Sequence, residues 1–438
     1  MINTLFYPGQ ADISAALLRP SGGNADIDGS VREVLARVKT EGDAALREYS
    51  KKFDGYAPAS FRVNEDSFRE AEKSVPPELR DAMREAISNI TAFHSSQLQT
   101  SGPVITADGV KCWSRDVAIG KVGLYIPGGT APLFSTVLML AIPARLAGCR
   151  DIIMCTPPGR DGKVSPLILY AASLAGVNSI YMVGGAQAIA AMAYGTESIP
   201  SVYKIFGPGN RYVTRAKELV QLEGTPIDMP AGPSEVLVIA DGNAIPAFVA
   251  ADLLSQAEHG ADSQVLMLTD SRIMMEQVKI ELDKQAALLE RNSFALQSLE
   301  NSSLILLNSI DECLNVSNRY APEHLILATS DPYLHAAAVV NAGSVFLGNF
   351  SSESTGDYMT GPNHTLPTGG YAKSYSGLST GSFMKRIFFQ EVTERGIMNI
   401  GPATELMAGA EMLGGHRNAV TVRLKYLNDE QNRSTGKA

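Results

Sequence analysis

The sequence predicts an α/β protein of two doubly wound, Rossmann-like parallel-sheet modules with small helical terminal elements. Three observations predict it. From Gly120 onward, short β-branched runs alternate with helical stretches. The runs are almost continuously apolar, as parallel strands covered on both faces must be. They also fall into two sets of similar length, about 120–233 and 234–348.

The elements follow in order. Residues 1–24 read as a short arm ending in Ser-Gly-Gly-Asn. Over 30–53, Val31, Val34, Leu35 and Val38 recur at helical spacing, which predicts one amphipathic helix. A second helix starts after Pro76-Pro77, where a missing N–H is harmless, and runs to about Gln97. In the first module, strands are expected at 123–126, 151–155, 179–183 and 202–206. Helices are expected at 135–147, 166–176, 186–194 and from Arg211. In the second, strands are expected at 236–240, 265–268, 304–307, 324–327 and 344–347. Helices are expected there at about 245–258 and from 269 to about Arg291. After Gly348 the chain turns Gly/Ser/Thr-rich and reads as irregular. A helix over about 404–413 precedes Gly414-Gly-His, and the polar stretch from Asn428 should fray.

The chain has 438 residues, room for about two to three domains, and a net charge of −9. An acidic chain without Lys/Arg clusters is a poor partner for nucleic acid phosphates. Its four cysteines (Cys112, Cys149, Cys155, Cys313) form no C-x-x-C pair, so a reducing, cytoplasmic setting is expected. The N-terminus lacks the apolar run of a secretory signal. The longest uncharged stretch, 164–196, is interrupted by Pro166, Gly176, Asn178, Gly184 and Gly185 and reads as helix–strand–helix rather than a membrane span.

Ligands of open parallel sheets sit at the carboxyl ends of strands. Here those ends read Pro127-Gly-Gly, Gly184-Gly-Ala-Gln and Gly207-Pro-Gly-Asn, all in the first module. Tight connections explain any one such turn. Three of them beside Tyr125, Gln187 and Asn210 favour a ligand face. The G-x-G-x-x-G fingerprint is absent, because residue 212 is Tyr. Gln256 and His259, at i and i+3 near a helix end, suit one ion, although His there also suits a C-terminal dipole. Asp357 is a metal-ligand or turn-forming residue. His364, in the same irregular segment, and His416, in a glycine turn, are presented ligands or idle surface groups. Glu323-His324 opens a strand, where it is an acid–base pair or a surface pair whose side chains take opposite faces. The cysteines offer a thiolate route, but buried structural thiols are commoner. His94 and His335 belong to no constellation.

The residues also resemble a known family. Val122-Gly-Leu-Tyr-Ile-Pro-Gly-Gly-Thr, Gly184-Gly-Ala-Gln-Ala-Ile-Ala, Phe206-Gly-Pro-Gly-Asn-Arg-Tyr-Val and Asp228-Met-Pro-Ala-Gly-Pro-Ser-Glu look like histidinol dehydrogenases. So do Ser255-Gln-Ala-Glu-His-Gly, Ala321-Pro-Glu-His-Leu and Thr355-Gly-Asp-Tyr-Met-Thr-Gly-Pro-Asn-His-Thr. The resemblance covers almost the whole chain.

It implies oxidation of L-histidinol to L-histidine through L-histidinaldehyde, by two hydride transfers to NAD, at the end of histidine biosynthesis. It implies one zinc ion per subunit on Gln256, His259, Asp357 and His416. It implies His324 as general base and Glu323 as activator of the water that hydrates the aldehyde. Ser234, Gln256, His259, His324, Asp357, His364, Glu411 and His416 match substrate positions, and Tyr125, Gln187 and Asn210 match NAD positions. The resemblance also implies an intertwined homodimer in which Glu411 and His416 serve the partner's site. Its domain scheme is 25–124 with 234–378, an inserted 125–233, an arm of 1–24 with 379–395, and a C-terminal 396–438. A zinc-binding protein that lost the chemistry, or an oxidoreductase of a related amino alcohol, are the competing expectations.

Overall fold

The structure is a computed structural model that describes residues 2–20, 25–98, 102–128, 132–159, 161–177, 179–290 and 292–434. The Ser-Gly-Gly-Asn end of the arm (21–24), part of the first glycine turn (129–131), Asn178, Arg291 and the tail 435–438 lie outside the described residues. The described strands are β1 (Asn3–Phe6), β2 (Val104–Ala107), β3 (Val110–Ala118), β4 (Lys121–Tyr125), β5 (Asp151–Thr156), β6 (Ser179–Met182), β7 (Lys204–Phe206), β8 (Glu235–Ala240), β9 (Gln264–Thr269), β10 (Ser303–Leu306), β11 (His324–Ala328), β12 (Ser344–Leu347) and β13 (Met384–Val392).

The chain divides into two compact units, Met1–Gln97 with Ile119–Phe383, and Leu98–Ala118 with Met384–Ala438. This grouping differs from the expected domain scheme. Residues 98–118 join the C-terminal part, and 379–383 stay with the larger unit.

The larger unit holds both predicted parallel sheets. One has four strands in the order β6-β5-β4-β7. The other has six, β1-β10-β9-β8-β11-β12, all parallel. Every residue of β8, β9, β10 and β11 is buried, which explains their apolar interiors behind polar first residues. Asn3–Phe6, expected as part of an arm, instead adds an edge strand beside β10. The order of each sheet reverses once, between β4 and β7 and between β8 and β11, and crevices open at such points.

Three element expectations change. The single helix over 30–53 is two, Ala25–Glu41 and Asp43–Tyr49, followed by a π-turn at Ser50–Asp54. Gly42, at φ 55° and ψ −131°, breaks it. The long helix to Arg291 ends at Ala286, and Asn292–Glu300 forms another. The stretch after Gly348 is not wholly irregular, because Glu353–Tyr358 forms a short helix capped by Ser352. The 164–196 stretch is a helix, Pro166–Leu174, the strand β6 and a helix, Gly185–Tyr194. No described helix is long and apolar enough to cross a membrane.

The smaller unit holds the expected terminal helices and adds strands to them. It contains an antiparallel sheet, β13-β3-β2, with Trp113 stacked on its cross-strand partner Phe389 at 5.3 Å. Helices Glu394–Ala410 and Gly414–Ser434 follow. The stretch from 428 to 434 is therefore helical rather than frayed, and His416 lies in a first helical turn rather than a free glycine turn.

Candidate active site

A cavity of about 570 Å³ in the larger unit collects most of the candidate residues. The four-stranded sheet contributes turns at the carboxyl ends of β4 and β7, through Pro127, Gly128 and Gly207 to Gly209. The six-stranded sheet contributes the amino ends of β8 and β11, through Ser234, Glu323 and His324. Gln256, His259, Asp357 and His364 complete the same wall.

Each side chain is placed by its local backbone. Gln256 is fully buried near the end of helix Pro246–Ala257, and His259 follows that helix. His259 Nδ1 lies 3.2 Å from Ser234 Oγ. Asp357 sits on the short helix Glu353–Tyr358. Glu323 immediately precedes β11, so the alternation that separates neighbours on a strand does not yet apply to it. Both members of the pair are buried and reach one cavity, and the surface-pair reading falls.

Glu235, the first residue of β8, organises this pair through its backbone. Its N–H donates to Glu323 Oε2 at 2.9 Å. Its carbonyl lies 3.2 Å from His324 Nδ1 and accepts from Gln256 Nε2 at 3.3 Å. Gln256 Nε2 is also 2.9 Å from His324 Nδ1. The opposite ring nitrogen, Nε2, has no hydrogen-bond partner among the described residues and stands 3.7 Å from Asp357 Oδ1.

Burial disfavours the Glu323 charge and pushes its carboxyl up to about 8. Burial also works against an imidazolium at His324, but the carboxylates of Glu323, Asp357 and Glu353 outweigh it and raise the ring well above its usual range. Burial opposes the Asp357 charge as well, yet His324, His364 and His259 hold that carboxyl low. His364 is shifted down by burial, against the pull of Asp357. The pocket thus holds paired acid and base groups with perturbed affinities, the pattern of proton-transfer sites.

The donors also suit a cation. Gln256 Oε1 and His364 Nε2 are buried atoms without a hydrogen-bond partner among the described residues. Together with Asp357 and His259 they form a mixed nitrogen and oxygen set that fits zinc. A different trio, His324, Glu353 and Asp357, brings one ligand atom of each within 4.8 Å of the others. It shares only Asp357 with the set implied by resemblance, and one Glu353 oxygen already accepts from Ser255 Oγ at 2.7 Å. His324 in that trio is also the best-placed base. The Gln256–His259–Asp357 set leaves it free.

The three positions matched to NAD cluster at strand ends of the first module. Tyr125 ends β4, and its hydroxyl accepts from Gly185 N–H at 3.0 Å. Gln187 is buried in the first turn of Gly185–Tyr194, with Nε2 lacking a hydrogen-bond partner among the described residues. Asn210 caps helix Arg211–Leu222 by accepting from Tyr212 and Val213 N–H. None of the three lines the cavity itself, but the turns beside Tyr125 and Asn210 do, and the one beside Gln187 does not. Lys217 and Asp228 brace the Gly207 turn. Lys217 Nζ donates to the Gly207 carbonyl at 2.7 Å, and Gly207 N–H donates to Asp228 Oδ2 at 2.8 Å.

Two implied substrate or metal residues are not among the cavity's lining. Glu411 and His416 are exposed residues of the smaller unit. The thiolate route also lacks support, since no cysteine lines the cavity. Burial pushes the Cys149 thiol up to about 11, and that of Cys155 higher still. His94 Nδ1 lies 3.1 Å from Gln97 Oε1, and His335 Nδ1 lies 2.8 Å from Thr329 Oγ1, both outside the site.

Sequence reasoning missed Glu353 and Glu235. The Ser352 cap with an acidic first turn was a readable signal for a short helix, though not for a buried carboxylate. Glu235 carried no local signal, because it acts mainly through its main chain.

Comparison with known proteins agrees with these features. The family described as histidinol dehydrogenase matches residues 17–424. A histidinol dehydrogenase of Bacteroides thetaiotaomicron is 54% identical over 427 residues, covering 98% of this chain and 100% of that protein. One of Bacteroides fragilis is 56% identical over 421 residues, covering 96% and 98%. The crystal structure of histidinol dehydrogenase from Elizabethkingia anophelis superposes with a TM-score of 0.96 at 52% identity, covering 98% of this chain and 99% of that one. With the family matched over nearly its whole length, the chain belongs to the histidinol dehydrogenases, a family of oxidoreductases.

Proposed function

We propose that this protein oxidises L-histidinol to L-histidine through L-histidinaldehyde, in two successive NAD-dependent steps that close histidine biosynthesis. One observation carries the reading. A single cavity joins two of the first module's glycine turns, at Pro127–Gly128 and Gly207–Gly209, to a buried Glu–His pair and a set of metal-type donors. A dinucleotide on one wall therefore faces a reacting carbon on the other.

His324 takes the hydroxyl proton in the first oxidation and the proton of the hydrated aldehyde in the second. Its Nδ1 is held on the protein side by Glu235 and Gln256, which leaves Nε2 for this work. Glu323 activates the water that adds to the aldehyde, its carboxylate aimed by the Glu235 N–H. Gln256, His259, Asp357 and His416 would hold zinc. When bound, zinc supplies orientation of the substrate's imidazole and amino nitrogens and polarisation of its oxygen. Ser234, His364 and Glu411 position the substrate. Tyr125, Gln187 and Asn210 would hold NAD, which when bound would supply the hydride acceptor. The substrate side corresponds to 25–124 with 234–378 and the NAD side to the inserted 125–233. The working form is a cytoplasmic homodimer, with Glu411 and His416 lent to the partner's site.

The test is NADH formation from L-histidinol. We expect two NADH per L-histidine, loss of activity on exhaustive chelation, and its return with zinc. Full turnover after verified metal removal would overturn the zinc assignment. Absence of NADH despite calorimetric binding of L-histidinol would leave a binding protein instead.

A further inference from the structure

We propose that Arg19 is a positioning residue for the Glu323–His324 pair, acting through Glu235. The proposal rests on the acid–base reading above. Arg19 lies near the chain's start, far in sequence from every cavity residue. Its guanidinium nevertheless grips both carboxylate oxygens of Glu235 with one edge. Nε donates to Oε1, and Nη2 donates to Oε2 at 2.9 Å.

The surroundings fix this fork. Nη2 also donates to the Tyr320 carbonyl at 2.8 Å, and the guanidinium lies 3.9 Å over the Tyr320 ring. Glu235 is buried, so its carboxylate depends on these partners. Its Oε1 also accepts from Gly369 N–H at 2.8 Å. Gly369 follows Thr368, which lines the cavity and whose hydroxyl accepts from Gly232 N–H.

The side chain of Glu235 is thus clamped from two directions, while its main chain holds the reacting groups. The same residue donates to Glu323 and accepts on the Gln256 and His324 side. A shift of the β8 start moves acid, base and Gln256 together. Arg19 fits this task better than Lys, since its rigid planar fork holds both carboxylate oxygens in fixed geometry whereas an ammonium is a point charge on a flexible stem.

The test uses the full-length protein with Arg19→Ala and Arg19→Lys, assayed for NADH from L-histidinol after circular dichroism and melting confirm folding. Supporting-group substitutions of this kind cost about 10–100-fold. We expect that loss in kcat for Arg19→Ala, with KM for L-histidinol and NAD held within about twofold, since the binding walls stay. Arg19→Lys should fall between. Millimolar guanidinium, far below denaturing strength, should restore part of kcat in Arg19→Ala and leave the wild type unchanged. Folded variants with wild-type kcat would overturn the proposal. So would a loss that merely tracks the folded fraction and is not rescued. A wild type inactive with L-histidinol would instead sink the proposed function, so the two failures are distinguishable.

Discussion

Asp252 shows how burial alone sets a residue's behaviour. It lies on helix Pro246–Ala257, and desolvation pushes its carboxyl up to about 7. In the unfolded chain the value is about 3.9. The folded state therefore holds the proton more tightly, and this group's contribution to stability falls as pH rises from about 4 to about 7. Asp252→Asn has no charge to bury. Denaturant unfolding should show the variant gaining on the wild type from pH 4 to pH 8, with a plateau above the folded value. A gap independent of pH would show that Asp252 is not desolvated as described. At the same scale, Gln256 and Asp357 were readable as residue types, but their burial and orientation were not. Gln256 Oε1 is left without a hydrogen-bond partner among the described residues only because Nε2 is spent on Glu235 and His324.

Helices and strands were mostly visible in the pattern, and the breaks between them were not. Apolar spacing ran through Gly42, whose backbone angles suit glycine alone. A Cβ there would fall 2.4 Å from Glu197 Oε2, the oxygen that accepts from Asp43 N–H at 2.8 Å. Gly42→Ala should therefore destabilise the protein by about 1–3 kcal/mol, read from the denaturation midpoint. A neutral result would mean the turn can relax at no cost. Strands β2, β3 and β13 escaped notice because β2 and β13 are mostly exposed and β3 mostly half-buried, so the apolar run that marks a covered parallel strand is missing. The strand ends also held a surprise. Ligand turns were sought at carboxyl ends, yet the acid–base pair occupies the amino end of β11, and Glu235, which holds it, opens β8. Glu323 precedes the strand that His324 opens, so the alternation of faces does not separate the two side chains.

Assembly belongs to the whole molecule, and it has a decisive test. His324→Ala alone should lower turnover by about 10²–10⁴-fold, and His416→Ala should weaken metal retention. If His416 serves the partner's site, a heterodimer of the two variants has one intact site, built from the unmutated residue of each chain. Subunits exchanged at equal ratio should then recover about a quarter of wild-type activity, because half the dimers are mixed and each has one working site. No recovery after verified exchange would place His416 in its own chain's site.

The alternation of apolar strands and helices dictated two parallel sheets, because a strand covered on both faces must be apolar throughout. Long ordered motifs identified the family, and residue chemistry named acid, base and ligand candidates. Tertiary structure alone brought Ser234, Gln256, Glu323, Asp357 and Pro127 to one cavity, since only folding closes such separations in sequence. It alone turned residues 3–6 into a sheet edge and tied Arg19 to Glu235. Those contacts depend on where buried main-chain groups find partners, and no local pattern of side chains records that.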